Sequence, residues 1–372
     1  MKYFLIVILL FSNLFIAISV TAKPLHFALF SPRAKQDPFW GPLEDFTLQA
    51  SKQLNVKITV FNSNNSKREM LKFISQAKAL NVDAVIFANI GKIALPLMKS
   101  AEQLKLPVLL FNSDFIGENK KIAGQPQQKF KYWIASLMPD DEHAGYLLGK
   151  YLIEQARERK LSLENGKVQI IAINGSIADT PSHHRFLGLQ RAIKEDGNSE
   201  LVQSLHAFWL QETAAYKALH LSKRYPNVKV YWTASDLMAI GVEQALTGRG
   251  LVQGKDYLTG GVDWSIGGLN AVKQGKISTS VGGHFMDGAW ALIMLYDHFN
   301  GERLDGQELY LYHSPMSLIS STEIDILLPY LNSHKWDKIN FQLRSKVFNK
   351  DLKQYDFSPT SILQELKKHN KD

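Results

Sequence analysis

Residues 25–50 read LHFALFSPRAKQDPFWGPLEDFTLQA, and the change of pattern inside this stretch decides the fold. Leu25 to Phe30 is a short apolar run of strand length. The next residues, Ser31 to Gln36, are mostly polar and broken by Pro32. Asp37 is a good N-cap, and Pro38 suits the first position of a helix. From there Phe39, Leu43, Phe46, Ala50 and Leu54 recur at helical spacing, whereas Trp40 lies about 100° off that stripe. An apolar strand feeding an amphipathic helix is one βα unit.

The same alternation continues along the chain. Further strand candidates are Val56–Phe61, Ala84–Ala88, Pro107–Phe111, Tyr132–Ser136, Lys167–Ile173, Val228–Thr233, Leu258–Val262 and Ser278–Val281. Met70, Phe73, Ile74, Ala77 and Leu80 mark another helix by their spacing. The strand runs are continuously apolar more often than alternating, which suits parallel strands covered on both faces. The predicted fold class is therefore α/β, with doubly wound parallel sheets. About four units precede Ser136 and four or five follow it, with no long linker, and 372 residues exceed a single typical core. Two lobes side by side are expected. After Glu323 the rhythm stops, so residues 323–372 read as a C-terminal extension packing on the lobes, with Ser361–Lys368 as a last helix.

Composition narrows the function. Apolar residues make up 45% and charged residues 21% of the chain, which excludes disorder. The absence of cysteine excludes disulfides, thiolate metal sites and a cysteine nucleophile. The net charge of +8 is spread over interleaved runs such as Lys67-Arg68-Glu69 and Arg157-Glu158-Arg159, which describes a solvated surface rather than a nucleic-acid face. Met1-Lys2, an apolar run from Tyr3 to Val20 and the small residues of Val20-Thr21-Ala22 read as a signal peptide over residues 1–22, cut after Ala22; the run is also just long enough for a retained anchor, but the small residues that follow it favour cleavage. Without Lys2, 42 basic and 35 acidic residues leave +7 on a mature chain expected to be soluble in the periplasm.

In open parallel sheets, ligands bind outside the carboxyl ends of the strands. At those positions stand Asp37 and Trp40, Asn112 and Asp114, Asp179 to Arg185, Trp209, Ser235-Asp236, and Asp263-Trp264. Local roles compete at each: Asp37, Asp236 and Asp263 could cap helices, Arg185 could pair on the surface, and Trp209 and Trp264 could be core. Taken together, aromatic rings with Asp, Asn and Arg are the chemistry of a sugar or polyol site. The C–H faces of such a ligand stack on indole, and its hydroxyls require paired donors and acceptors.

Four motifs carry a resemblance to a known family. They are Asp37-Pro38-Phe39-Trp40, Asp141-Glu142-His143-Ala144-Gly145, Ser235-Asp236-Leu237-Met238-Ala239-Ile240-Gly241 and Gly261-Val262-Asp263-Trp264. With these, the chain from Leu25 to Leu318 resembles the type I periplasmic binding proteins, in the branch with ribose-like and autoinducer-binding members. The resemblance implies two lobes joined by a three-segment hinge near Ser136, Gly282 and Tyr312. It divides the chain into an N-terminal lobe (23–135 plus 282–312) and a C-terminal lobe (136–281 plus 313–322). It implies stacking by Phe39 and Trp40, polar contacts from Asp37, Asn112, Arg185, Ser235 and Asp263, and an aromatic wall at Trp209. Asn112-Ser113 stands where the family commonly has Asp-Arg, and Gly282-Gly283-His284 where it often has glutamine, so the ligand need not be ribose.

The resemblance implies a monomeric receptor for a small molecule, a sugar or polyol, that closes on its ligand and serves a membrane ABC permease. Presentation to a membrane sensor kinase or cyclase is the same-fold alternative, and a carbohydrate-acting enzyme the different-class one. The enzyme reading lacks support, because there is no Gly-x-Ser-x-Gly elbow, Walker loop or Gly-x-Gly-x-x-Gly after a strand. Asp140-Asp141-Glu142 suits the positive end of a helix dipole. His183 and His184, adjacent on an extended segment, would point opposite ways and make no metal site with His206. No cofactor, metal or nucleic-acid partner is expected, since a signal peptide occupies the place of a DNA-binding helix pair.

Overall fold

A computed structural model describes residues 24–163, 165–304 and 310–369. The signal peptide expected over residues 1–22 lies outside the described residues. The α/β architecture expected from the strand and helix rhythm is the one observed, as two six-stranded sheets. The first comprises β1 (His26–Ser31), β2 (Lys57–Asn62), β3 (Ala84–Phe87), β4 (Val108–Phe111), β5 (Trp133–Pro139) and β11 (Leu311–Ser314), in the order β11-β5-β4-β3-β1-β2. The second comprises β6 (Val168–Asn174), β7 (Ser199–His206), β8 (Val230–Thr233), β9 (Leu258–Asp263), β10 (Ser280–Gly282) and β12 (Ser317–Leu318), in the order β12-β10-β9-β8-β6-β7. Every pairing is parallel except that of β12 with β10. The interior strands are buried on both faces, as their apolar runs require.

Strand β7 was not anticipated. Its sequence, Ser199–His206, mixes polar and apolar residues, and as an edge strand paired only with β6 it is half-buried along its length. Edge position removes the requirement for a continuous apolar run.

Helices cover both faces: α1 (Trp40–Gln53), α2 (Lys67–Ala79), α3 (Ala94–Gln103), α4 (Glu118–Ala123), α5 (Asp141–Glu158), α6 (Thr180–Asp196), α7 (Gln211–Arg224), α8 (Asp236–Thr247), α9 (Ile266–Lys273) and α10 (Asp287–Phe299). Helices α5 and α6 cross with no side chain between them: a Cβ on Gly145 would overlap the Arg185 carbonyl, and one on Gly188 the Glu142 carbonyl. That backbone contact fixes the start of α6, where several cavity residues sit.

The chain passes between the sheets at Pro139–Asp141, Gly282–His284 and Ser314–Ser317. The first and third passages lie later than the Ser136 and Tyr312 expected from sequence, because β5 continues through Pro139 and Tyr312 is interior to β11. Residues 136–139 and 313–314 thus pair within the first sheet. The passages are bonded to one another. Asp140 N donates to the Ser314 carbonyl at 2.9 Å, and Ser314 Oγ to Asp287 Oδ2 at 2.9 Å.

The C-terminal extension begins with α11 (Ser321–Ser333), two residues before Glu323, under a capping box in which Ser320 and Glu323 satisfy each other's backbone N–H groups. Helix α11 lies on α9 of the second lobe and is ion-paired through Lys273 and Asp325. The chain then returns to the first lobe. Trp336 and Phe341 meet Phe46 edge to face at 5.0 and 4.9 Å, Phe357 stacks on Trp290 at 5.0 Å, and α12 (Pro359–His369) adds Ile362, Leu363 and Leu366 to the same apolar cluster. Each fully buried aromatic of this kind contributes about 1.5–3 kcal/mol. The extension is thus part of the first lobe's core.

Candidate ligand-binding site

A cavity of about 220 Å³ lies between the carboxyl ends of the two sheets. Both lobes line it. The first lobe contributes Arg33, Asp37, Pro38, Phe39, Trp40, Ile90 and Asn112, and the second Asp179, Arg185, Trp209, Ser235 and Asp263, with His284 at the second passage.

Asp37 Oδ1 accepts from the backbone N–H groups of Phe39 and Trp40, both at 3.0 Å, so it caps the entry to α1 as its residue type suggests. Its Oδ2 faces Arg33 Nε at 3.9 Å. The Phe39 ring lies over the His284 imidazole at 4.7 Å and meets Trp40 edge to face at 5.4 Å. Trp40 lines the cavity but is only 6% exposed and belongs to the first lobe's apolar cluster. The expectation that it stands off the core is corrected: beside the stripe of Leu43 and Phe46, which packs on α10, the flank of α1 through Trp40, Glu44, Thr47 and Ser51 is buried as well, and Trp40 meets Phe111 of β4 edge to face at 6.0 Å.

Asn112 is buried at the end of β4 with φ of 61°, a left-handed conformation that asparagine tolerates. Ser235 caps α8, its Oγ accepting from Met238 N at 3.4 Å, and it also lines the cavity.

Arg185 is the hub of the second lobe. Its Nε donates to Asp141 Oδ1 at 2.7 Å, Nη1 to the Ala234 carbonyl at 2.7 Å and to Asp263 Oδ1 at 3.3 Å, and Nη2 to His284 Nε2 at 3.0 Å. Arginine has only donors, so Nε2 must be the acceptor and the imidazole is neutral. Burial first, then the Arg185 charge, pushes the His284 pKa down to about 3. Burial raises Asp263 to about 7 against the opposing pull of Arg185. Four of the five guanidinium hydrogens are thereby committed, leaving one on Nη2.

Trp209 forms a wall of the cavity. Its indole Nε1 donates to Asp179 Oδ2 at 2.9 Å, the Arg185 guanidinium lies 5.8 Å from its ring, and Gly175 leaves room for its six-membered ring. Phe208 and Trp209 both have positive φ, as do Asp263 (140°) and Trp264 (57°). Such strained backbone clusters at sites where a side chain must be aimed.

Three residues singled out from sequence lie elsewhere: Asp114, which faces α6, and Trp264 and Asp236. Trp264 is 1% exposed, donates from Nε1 to the Ser280 carbonyl and packs where Gly282 lacks a side chain, because the strained turn that sends Asp263 into the cavity sends the next residue into the core. Asp236 is fully buried beneath the site. It accepts from Ser265 N, Ser265 Oγ and Ser280 Oγ, and its pKa is raised to about 7 by burial and by Asp263. The sequence reading did not assign His284, Arg33 or Ile90 to the site, and it singled out Asp179 only as the start of the segment Asp179 to Arg185. The expected strand Ser278–Val281 and the Gly282-Gly283 pair mark this turn, but nothing local says that the His284 side chain reaches the cavity. Among the described residues no cluster of metal-ligating side chains occurs, and no helix is long and apolar enough to cross a membrane.

Known proteins share this arrangement. The sequence profile of the periplasmic binding protein domain matches residues 27–303. The D-allose-binding periplasmic protein of Escherichia coli (strain K12) is 28% identical over 229 residues, covering 59% of this chain and 69% of that protein. The galactofuranose-binding protein of the same organism is 20% identical over 284 residues, covering 73% and 84%. In fold, a periplasmic sugar-binding protein from Pseudomonas fluorescens superposes with a TM-score of 0.78 over 91% of this chain and 99% of that one, at 23% identity. A solute-binding protein from Actinobacillus succinogenes with bound D-allose superposes with a TM-score of 0.69 over 82% and 99%, at 20% identity. With the profile spanning most of the chain and both lobes of the fold, this chain belongs to the type I periplasmic binding protein family, in its ribose-like branch.

Proposed function

We propose that the chain is a periplasmic receptor that binds one sugar ring between its lobes without transforming it and delivers it to an ABC importer. The observation that carries this reading is the make-up of the cavity: Phe39 and Trp209 offer aromatic surface, while Asp37, Asn112, Arg185 and Asp263 supply acceptors and donors from both lobes. Hydroxyls bonded to such buried groups confer specificity, because an analogue lacking one strands a buried partner. At about 220 Å³ the cavity is below the roughly 300–1,000 Å³ typical of drug-sized ligands, which suits a single ring rather than an oligosaccharide. The relatives named for D-allose and galactofuranose support a monosaccharide, and their description as binding proteins supports a role without catalysis.

The test is a thermal-shift screen with D-allose, D-galactose, L-arabinose and D-ribose, followed by titration calorimetry. A ligand at 100 times its Kd stabilises the native state by about 2.7 kcal/mol, enough to raise Tm measurably. Absence of a shift with every monosaccharide, or conversion of any of them to product, would overturn the proposal.

A further inference from the structure

We propose that Asp179 and Thr180, at the start of α6, form a latch that holds the lobes closed without ligand and sets the position of the Trp209 wall. An aspartate at a helix N-cap ordinarily bonds the free N–H groups of its own helix. Asp179 makes no such bond. Its Oδ1 instead accepts from Gly91 N of the first lobe at 3.1 Å, and its Oδ2 from the Trp209 indole at 2.9 Å. The neighbouring Thr180 Oγ1 accepts from Asp114 N at 2.9 Å and pairs with Ser113 Oγ at 3.2 Å, both in the first lobe. Asp179, Thr180, Ser113 and Asp114 are each less than 10% exposed.

The receiving surface is itself rigid. Asn89 N donates to the Ser113 carbonyl at 3.0 Å, and Asn89 Nδ2 to the Asp114 carbonyl at 2.8 Å, so the two loops that meet α6 act as one piece. None of these bonds requires a ligand atom. Opening the cleft breaks the three interlobe bonds together, to Gly91, Ser113 and Asp114, and leaves the Asp179 carboxylate held only by the indole of its own lobe. Closure therefore fixes the second oxygen of the carboxylate that holds the indole, and the interlobe bonds bias the chain towards the closed form before any ligand arrives.

The cysteine-free chain allows clean placement of two spin labels, at Lys121→Cys on α4 and Glu212→Cys on α7. Interlobe distances are then measured by double electron–electron resonance without ligand. The parent is expected to show a major short-distance population. Thr180→Val, nearly isosteric and remote from the indole, and Asp179→Ala should each lower the closed-to-open ratio at least tenfold, with melting curves showing that both remain folded. Thr180→Ser, which restores the hydroxyl, should return the parent distribution. A parent that is wholly open, unchanged distributions in both loss-of-contact variants, or Thr180→Ser behaving like Thr180→Val would each overturn the latch. Because no sugar is present, a failure of the monosaccharide reading does not enter this result.

Discussion

Asp263 combines the two properties the site needs: it faces the cavity and is held by Arg185. Asp263→Asn keeps the shape but loses the charge-assisted partner, and we expect monosaccharide affinity to fall by about 1–3 kcal/mol, roughly fivefold to 150-fold, in titration calorimetry. Trp40→Ala is a poorer probe than its sequence position suggests. With Trp40 buried against Phe39 and Phe111, the substitution should cost about 3–5 kcal/mol of stability in denaturant unfolding, mixing folding with binding. Asp236 carries a pH signature. Its pKa is raised to about 7 in the folded chain by burial and by Asp263, so the native state holds a proton that the unfolded state releases near the ordinary carboxylate value. Its contribution to stability is therefore fully present below about pH 4 and declines as pH rises towards 7. Asp236→Asn removes this share of the slope and leaves that of Asp263. Relative to that variant, the wild type should lose on the order of 2 kcal/mol between about pH 5 and pH 8, read from urea unfolding at each pH.

At the scale of elements, the cavity depends on helices and strand ends brought close by missing side chains. Gly175, just past the end of β6, lies under the Trp209 ring. Gly175→Ala should displace the indole and weaken sugar binding about tenfold or more, while the melting temperature stays near that of the parent, because the loop is outside the sheet core. Gly188 on α6 touches the backbone of α5 directly, so Gly188→Ala must separate the helices. It should cost about 1–3 kcal/mol or more in unfolding and weaken binding as well, since Arg185 rides on the same turn. Paired measurements of stability and affinity separate the two cases.

Over the whole molecule, the extension makes a further connection between the lobes, running from α11 on the second to α1 and α10 on the first. Asp297 anchors it: the carboxylate accepts from Ser345 Oγ, Lys346 N, Val347 N and the Tyr355 hydroxyl. Asp297→Ala strands these donors and should cost about 1–3 kcal/mol. It should also expose the segment around Lys350 and Lys353 to trypsin before the rest of the chain is cut. The same global view shows what was legible from sequence. Apolar runs and helical spacing determined the α/β class, the two lobes and most strand ends, because burial on both faces of a parallel sheet must be written into contiguous residues. They also placed Asp37, Arg185 and Asp263 after strand ends, where cleft residues occur, and Trp209 only after an apolar turn. Edge strand β7 left no such trace, since half-exposure imposes no pattern. Tertiary structure alone decided between the neighbours Asp263 and Trp264, because the backbone twist at a strained turn directs one into the cavity and the other into the core. It alone brought His284 against Arg185 and Asp179 against Gly91, residues 99 and 88 positions apart, since contacts across a cleft depend on how two lobes meet and not on any local spacing.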